Sequence, residues 1–191
     1  MAVNLSKGQR ISLEKVAPGL SAAFVGLGWD TNVTDTGQDI DIDASVFLLG
    51  ANEKLISDNH FIFYNNLASP DPDKSVEHLG DNRTGAGEGD DEVIKVNLKQ
   101  VPTEVQKISI VVTIHDAEQR QQNFGQVSNA SVRVVDAQNE QEAVRYDLTE
   151  DFSVETALIM AELYRKDGEW RVNAVGAGYQ GGLQAILDRY Q

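Results

Sequence analysis

TALIMAELYRKDGEWRVNAV, residues 156–175, decides between a helical and a sheet protein. Its first half, ALIMAELYR, is made of good helix formers. Asp167-Gly168 then interrupts two apolar runs, and Asp-Gly between such runs is a strong short-range hairpin signal. The second run, WRVNAV, is strand-like. The stretch therefore predicts strands over 156–165 and 170–175, joined by a tight turn.

Outward from that hairpin, the same period recurs. Residues 40–49, IDIDASVFLL, alternate and then become wholly apolar. Residues 61–64, 93–98 and 130–135 read as further strands. Residues 108–114, ISIVVTI, are rich in β-branched side chains and read as a buried central strand. Two segments read as helical. One is a short helix within 116–126. The other is at the C-terminus, where Leu183, Ile186, Leu187 and Tyr190 fall on one face. SPDPDKS, 69–75, is a loop tip set by its two prolines. Short strands with turn signals between them predict an all-β-dominated, single-domain β-sandwich over 1–191, with a few short helices including the C-terminal one.

The chain has 191 residues, 41% hydrophobic, enough for one substantial core. Its formal net charge of -14 argues against a nucleic-acid backbone as partner and favours cations. It has no cysteine, so disulfides, thiolate zinc sites, iron–sulfur clusters and thiol redox chemistry are excluded. The N-terminal residues carry no signal-peptide pattern, and no apolar run reaches the length of a membrane span. A cytoplasmic protein is expected.

The acids are not evenly spread. On a strand, Asp39, Asp41 and Asp43 share one face. A charged edge strand would explain one or two of them, but such edges favour lysine or mixed signs. GDNRTGAGEGDDE, 80–92, crowds five carboxylates around Arg83. Asp81, Asn82, Thr84, Glu88, Asp90, Asp91 and Glu92 offer side-chain oxygens there. Gly85, Gly87 and Gly89 let backbone carbonyls turn inward. Calcium takes six to eight such oxygens, whereas zinc and copper would find nothing soft. Residues 81–92 have the length of an EF-hand loop, with Asp first and Glu last. Arg83 and Ala86 break its pattern, and the flanking IKVNL is strand-like. A calcium loop on a β scaffold fits better.

GLGWD, 26–30, reads as a glycine bend before a packed Trp29, with Asp30 as a further ligand or a turn residue. It lacks the spacing of a nucleotide-binding motif. His115-Asp116 follows the central strand. Asp116 reads either as the cap of the next helix or as a ligand at the strand end. His60, His78 and His115 have no metal-ligand spacing, and no serine elbow or cysteine nucleophile is present.

Taken together, VGLGWD (25–30), DIDIDASVFLL (39–49), FIFYNNLASPD (61–71), GDNRTGAGEGDDE (80–92), VVTIHDAEQRQQNFGQV (111–127), RYDLTEDFSVETA (145–157), ELYRKDGEW (162–170) and AVGAGYQGGL (174–183) resemble the TerD family of tellurium-resistance and stress proteins. The resemblance spans nearly the whole chain. It implies a β-sandwich that binds calcium, usually two ions, in an acidic bowl. Carried residue by residue, it points to Asp41 and Asp43 and to the loop 81–92, with Gly87 among its backbone ligands. Asp30 and Asp116 are further candidates. The chain departs from the family pattern at Ile40, Ile42, Gln121 and in VGAGYQGG, changes that affect an apolar face and surface contacts.

With no cysteine and two methionines, direct reduction or capture of tellurite through sulfur is not expected. A non-enzymatic calcium module working with other tellurium-resistance and stress proteins is the leading expectation. Family context adds the inner membrane surface as its place of action. Calcium-dependent docking on anionic lipid is one alternative. A metal-dependent hydrolase with His115 or Glu118 as base is the other.

Overall fold

The computed structural model describes residues 2–31, 40–80 and 89–191. In chain order the elements are β1 (Val3–Leu5), β2 (Arg10–Ser12), α1 (Leu13–Val16), β3 (Ala23–Thr31), β4 (Ile42–Leu49), β5 (Phe61–Ile62), β6 (Val76–His78), β7 (Glu92–Val96), β8 (Lys107–Ile114), α2 (Ala117–Arg120), β9 (Val127–Asp136), β10 (Glu142–Asp147), β11 (Ala157–Lys166), β12 (Glu169–Tyr179) and α3 (Gly182–Tyr190). They form two six-stranded sheets, β1-β10-β9-β3-β7-β6 and β2-β12-β11-β8-β4-β5. β1 joins β10 in parallel, whereas the central pairs β3–β9 and β8–β11 are antiparallel. The expected β-sandwich is present.

The deciding stretch folds as the hairpin β11–β12. Asp167 and Gly168 both have positive φ, 54° and 78°, and Lys166 pairs with Glu169 across them. Two central residues in that conformation match the right-handed twist of the flanking strands. The helix-like run ALIMA has a sheet explanation as well. A bulge between Ile159 and Ala161 shifts the register with both neighbours. Leu158 before it, Met160 within it, and Ala161 and Leu163 after it, all reach the inter-sheet core. A strand that changes parity and is buried on both faces shows no simple alternation.

Two apolar layers result. Val25, Leu27, Ile94 and Val132 of the first sheet meet Ile42, Val46, Ile110 and Leu158 of the second. On the far face of the second sheet, Phe47, Leu49, Val111 and Ile159 pack under Ile186 and Tyr190 of α3. The periodic face of the C-terminal helix thus makes a separate small core. Tyr190 also shares a hydrogen bond with Ser109 at 2.9 Å, and Lys54 donates to the Arg189 and Gln191 carbonyls at the helix end.

Several boundaries differ from expectation. The strand expected over 61–64 stops at Ile62, because Phe63 and Asn66 close a tight turn. The strand expected over 93–98 ends at Val96. The helix expected within 116–126 is α2 followed by a 3-10 turn, Phe124–Gln126, broken by Gln121 at a φ of 54°. Asp116 precedes α2 at a φ of 51° and makes no side-chain cap. GLGWD is not a bend: it is the body of β3.

Candidate functional site

β3 ends, β4 begins, β7 begins and β8 ends at one pole of the sandwich. The acids marked in the sequence collect there, in two groups, one on each sheet. Asp39, Asp81, Asn82, Thr84, Gly87 and Glu88 lie outside the described residues.

On the first sheet, Leu27 of β3 pairs with Glu92 of β7, which sets Asp90 and Asp91 beside the glycines of β3. A Cβ at Gly26 would collide with the Asp90 carboxylate, so glycine there makes room for it. Asp90 in turn receives two parallel hydrogen bonds from Arg133, 2.8 Å from Nε and 3.0 Å from Nη2. Such a fork is the strong form of the arginine–carboxylate pair. Arg133 also reaches Glu142 at 3.3 Å, and its pKa is raised, chiefly by the bond to Asp90.

Asp91 has a different setting. Its Oδ2 accepts the Trp29 amide N–H at 2.8 Å. Burial pushes its carboxyl above the ordinary range, and the charges of Asp30 and Asp90 push the same way, against the Trp29 bond. Asp30 is exposed and accepts from Asn129 at 2.7 Å. Glu92 is buried and lies 2.7 Å from His78 Nε2, both side chains being 1% exposed. His78 Nδ1 accepts the Gly80 amide N–H at 3.2 Å, which places the ring proton on Nε2, facing Glu92. This pair fastens β6 to β7 at the foot of the glycine-rich segment.

On the second sheet, β4 runs beside β8 so that Asp43 pairs with Thr113, and the His115 amide donates to the Asp41 carbonyl at 2.8 Å. His115 stands between Asp43, 3.8 Å away, and Asp116, 3.3 Å away. Asp41 Oδ1 is buried and has no hydrogen-bond partner among the described residues. Asp43, His115, Asp116 and Glu118 line a cleft of about 540 Å³, with Tyr64 and Val154 at its lip.

The structure therefore brings Asp30, Asp90 and Asp91 together, turns Glu92 inward onto His78, and separately gathers Asp41, Asp43 and Asp116. Among the described residues, no three His, Asp or Glu side chains converge into a set that could hold a metal ion by themselves. Sequence reasoning missed Arg133 and His78. Their partners are cross-strand neighbours, visible only once the register is known. The one available signal was a lone arginine at an outward position between the core valines of SVRVV.

The chain matches the TerD domain model over residues 1–190. It is 60% identical over 190 residues to general stress protein 16U of Bacillus subtilis (strain 168), covering all of this chain and 97% of that one. It is 57% identical over 190 residues to tellurium resistance protein TerD of Serratia marcescens, again covering all of this chain and 97% of the other. The crystal structure of a homologue of telluride resistance protein (TerD) from Streptomyces coelicolor A3(2) superposes with a TM-score of 0.69 at 21% identity. That match covers 88% of this chain and 96% of that one, and it bears on the fold.

Proposed function

The chain belongs to the TerD family of tellurium-resistance and stress proteins, and from that premise we propose that it is a non-enzymatic calcium-binding module whose ion occupancy sets its stability and its partner surface. The observation that supports this reading is the carboxylates gathered at one pole. Asp91 is held above its ordinary pKa by burial and by like charges, and Asp41 keeps a buried oxygen without a donor among the described residues. A divalent cation supplies the missing countercharge and oxygen coordination.

The ligands in this reading are Asp30 and Asp91 from the first sheet, and Asp41, Asp43 and Asp116 from the second. Asp81, Asn82, Thr84, Gly87 and Glu88 would complete two sites. Asp90 and Glu92 act here as anchors, since Arg133 and His78 already engage them. A surface that changes charge and shape with the ion can then select partners among other stress proteins.

Thermal melting in EDTA, magnesium and calcium, with calorimetric titration, tests the proposal. A ligand that binds only the folded state raises stability with the logarithm of its concentration over its dissociation constant. A calcium-specific rise in Tm, with a stoichiometry near two, is expected. No shift and no binding heat at millimolar calcium would overturn it.

A second reading is docking of the same pole on anionic lipid through a bridging ion. It draws on Tyr64 and Val154, large apolar side chains 47% and 54% exposed beside the acids. Among the described residues no helix is long and apolar enough to cross a membrane. Sedimentation with phosphatidylserine vesicles only in calcium would favour this reading over a protein partner.

A further inference from the structure

We infer that the outer face of the second sheet carries a binding site for a small zwitterion, an amine-bearing carboxylate of the amino-acid class. It lies at the opposite pole from the acidic loops. Lys107 and Thr113 are six residues apart on β8, about 20 Å along an extended strand. The inference is therefore independent of the calcium reading.

The site is a cleft of about 380 Å³ lined by Arg10, Lys107, Glu162, Tyr164 and Asn173, a size that suits a small ligand. Register explains how these side chains come together. Arg10 of β2 pairs with Asn173 of β12, and Asn173 pairs with Glu162 of β11. The three stand in a row across neighbouring strands, so Arg10 and Glu162 are about 10 Å apart at Cα.

The hydrogen bonds inside the row leave two unmet needs. Asn173 Nδ2 donates to Glu162 Oε2 at 3.1 Å, which fixes the way the amide faces. Its Oδ1 is then an acceptor, buried, with no partner among the described residues, in a residue only 9% exposed. A buried acceptor left unmet is costly, so a donor there is favoured. Arg10 is the second need. It is exposed, its guanidinium lies 6.0 Å above the Tyr164 ring, and no carboxylate is within ion-pair distance of it among the described residues. The other cations of the cleft are occupied. Lys107 Nζ is 2.7 Å from Glu53 and 3.5 Å from Glu162, and Arg165 is bound to the Val101 and Val105 carbonyls.

One ligand chemistry meets both needs. Its ammonium donates to Asn173 Oδ1 and Glu162 as the exposed Arg10 arm gives way, and its carboxylate lies against Arg10. A simple amine would meet Glu162 and the Asn173 oxygen but leave Arg10 without a carboxylate. A simple carboxylate would face Glu162 and an acceptor oxygen.

NMR on the isotope-labelled protein tests this, with glycine, β-alanine, γ-aminobutyrate and glycylglycine as probes of graded charge spacing. Propylamine and propionate are the single-charge controls. The expected result is a saturable shift of the Asn173 side-chain amide with at least one zwitterion, equal in EDTA and in calcium. Affinity should fall about tenfold or more in Arg10→Gln. That variant removes an exposed side chain and keeps the fold, which its unchanged Tm verifies. Glu162→Gln should lose binding too, but it also disturbs Lys107, so Arg10→Gln is the deciding variant. No shift at Asn173 up to about 10 mM of any zwitterion, or equal binding by propylamine, or unchanged affinity in Arg10→Gln, would overturn the inference.

Discussion

Asp91 is the residue at which the proposed function and the stability of the fold meet. Its carboxyl takes up protons more readily in the folded chain than in the unfolded one. Without a cation, stability therefore falls as pH rises from the ordinary carboxylate range, near 3.8, through its raised value, and stays lower above it. Asp91→Asn keeps an oxygen for the Trp29 amide and removes the charge. In EDTA at neutral pH its Tm should exceed that of the parent, and its calcium-induced rise should shrink. A lower Tm in EDTA would show that the charge is already compensated. Tyr146 gives a separate test at the alkaline end. It is 3% exposed, its hydroxyl lies 3.3 Å from Glu150, and a Cβ at Gly176 would collide with that hydroxyl. Burial pushes its pKa up to about 12. The unfolded phenol loses its proton near 10, so stability should fall between pH 10 and about 12. Tyr146→Phe should lessen that slope in a denaturant titration, and the remainder belongs partly to Tyr190, whose pKa burial also raises.

Among the elements, α3 is the clearest case of a local pattern with one consequence. Ile186 is fully buried on the outer face of the second sheet. Ile186→Ala should cost about 2–5 kcal/mol, read as a drop in the denaturation midpoint, and should loosen the helix before the sheets. An unchanged midpoint would mean that the helix contributes little to the fold. The helix was legible because its apolar spacing is local, and so was the β11–β12 hairpin, whose Asp-Gly turn carries its own geometry. β3 was not read as a strand. Its two glycines look like a bend until Asp90, just before β7, is seen to need the space at Gly26. The candidate site was legible to the same limited depth. Composition marks the acids, but Asp90 and Glu92 are distinguished from Asp91 only by Arg133 and His78, which arrive from other strands.

At the scale of the molecule, the formal charge of -14 acts on the whole fold. Self-repulsion among exposed acids is screened over about 10 Å at 0.1 M salt. Raising potassium chloride from about 0.02 to 0.2 M in EDTA should therefore raise Tm. In calcium the rise should be smaller, because bound ions have already removed part of the repulsion. Equal rises in both would place the destabilising charge away from the acidic pole. The sheet order holds one more consequence, for how the chain acquires its structure. β1 pairs with β10 and β2 with β12, so the first twelve residues close edges built by residues 142–147 and 171–173. On a ribosome those two strands emerge long before their partners β10 and β12 are made. Neither sheet can be finished during synthesis of the first two-thirds of the chain. Contacts this distant in sequence slow folding, and β1 and β2 are strands for which a chaperone has a long opportunity to compete.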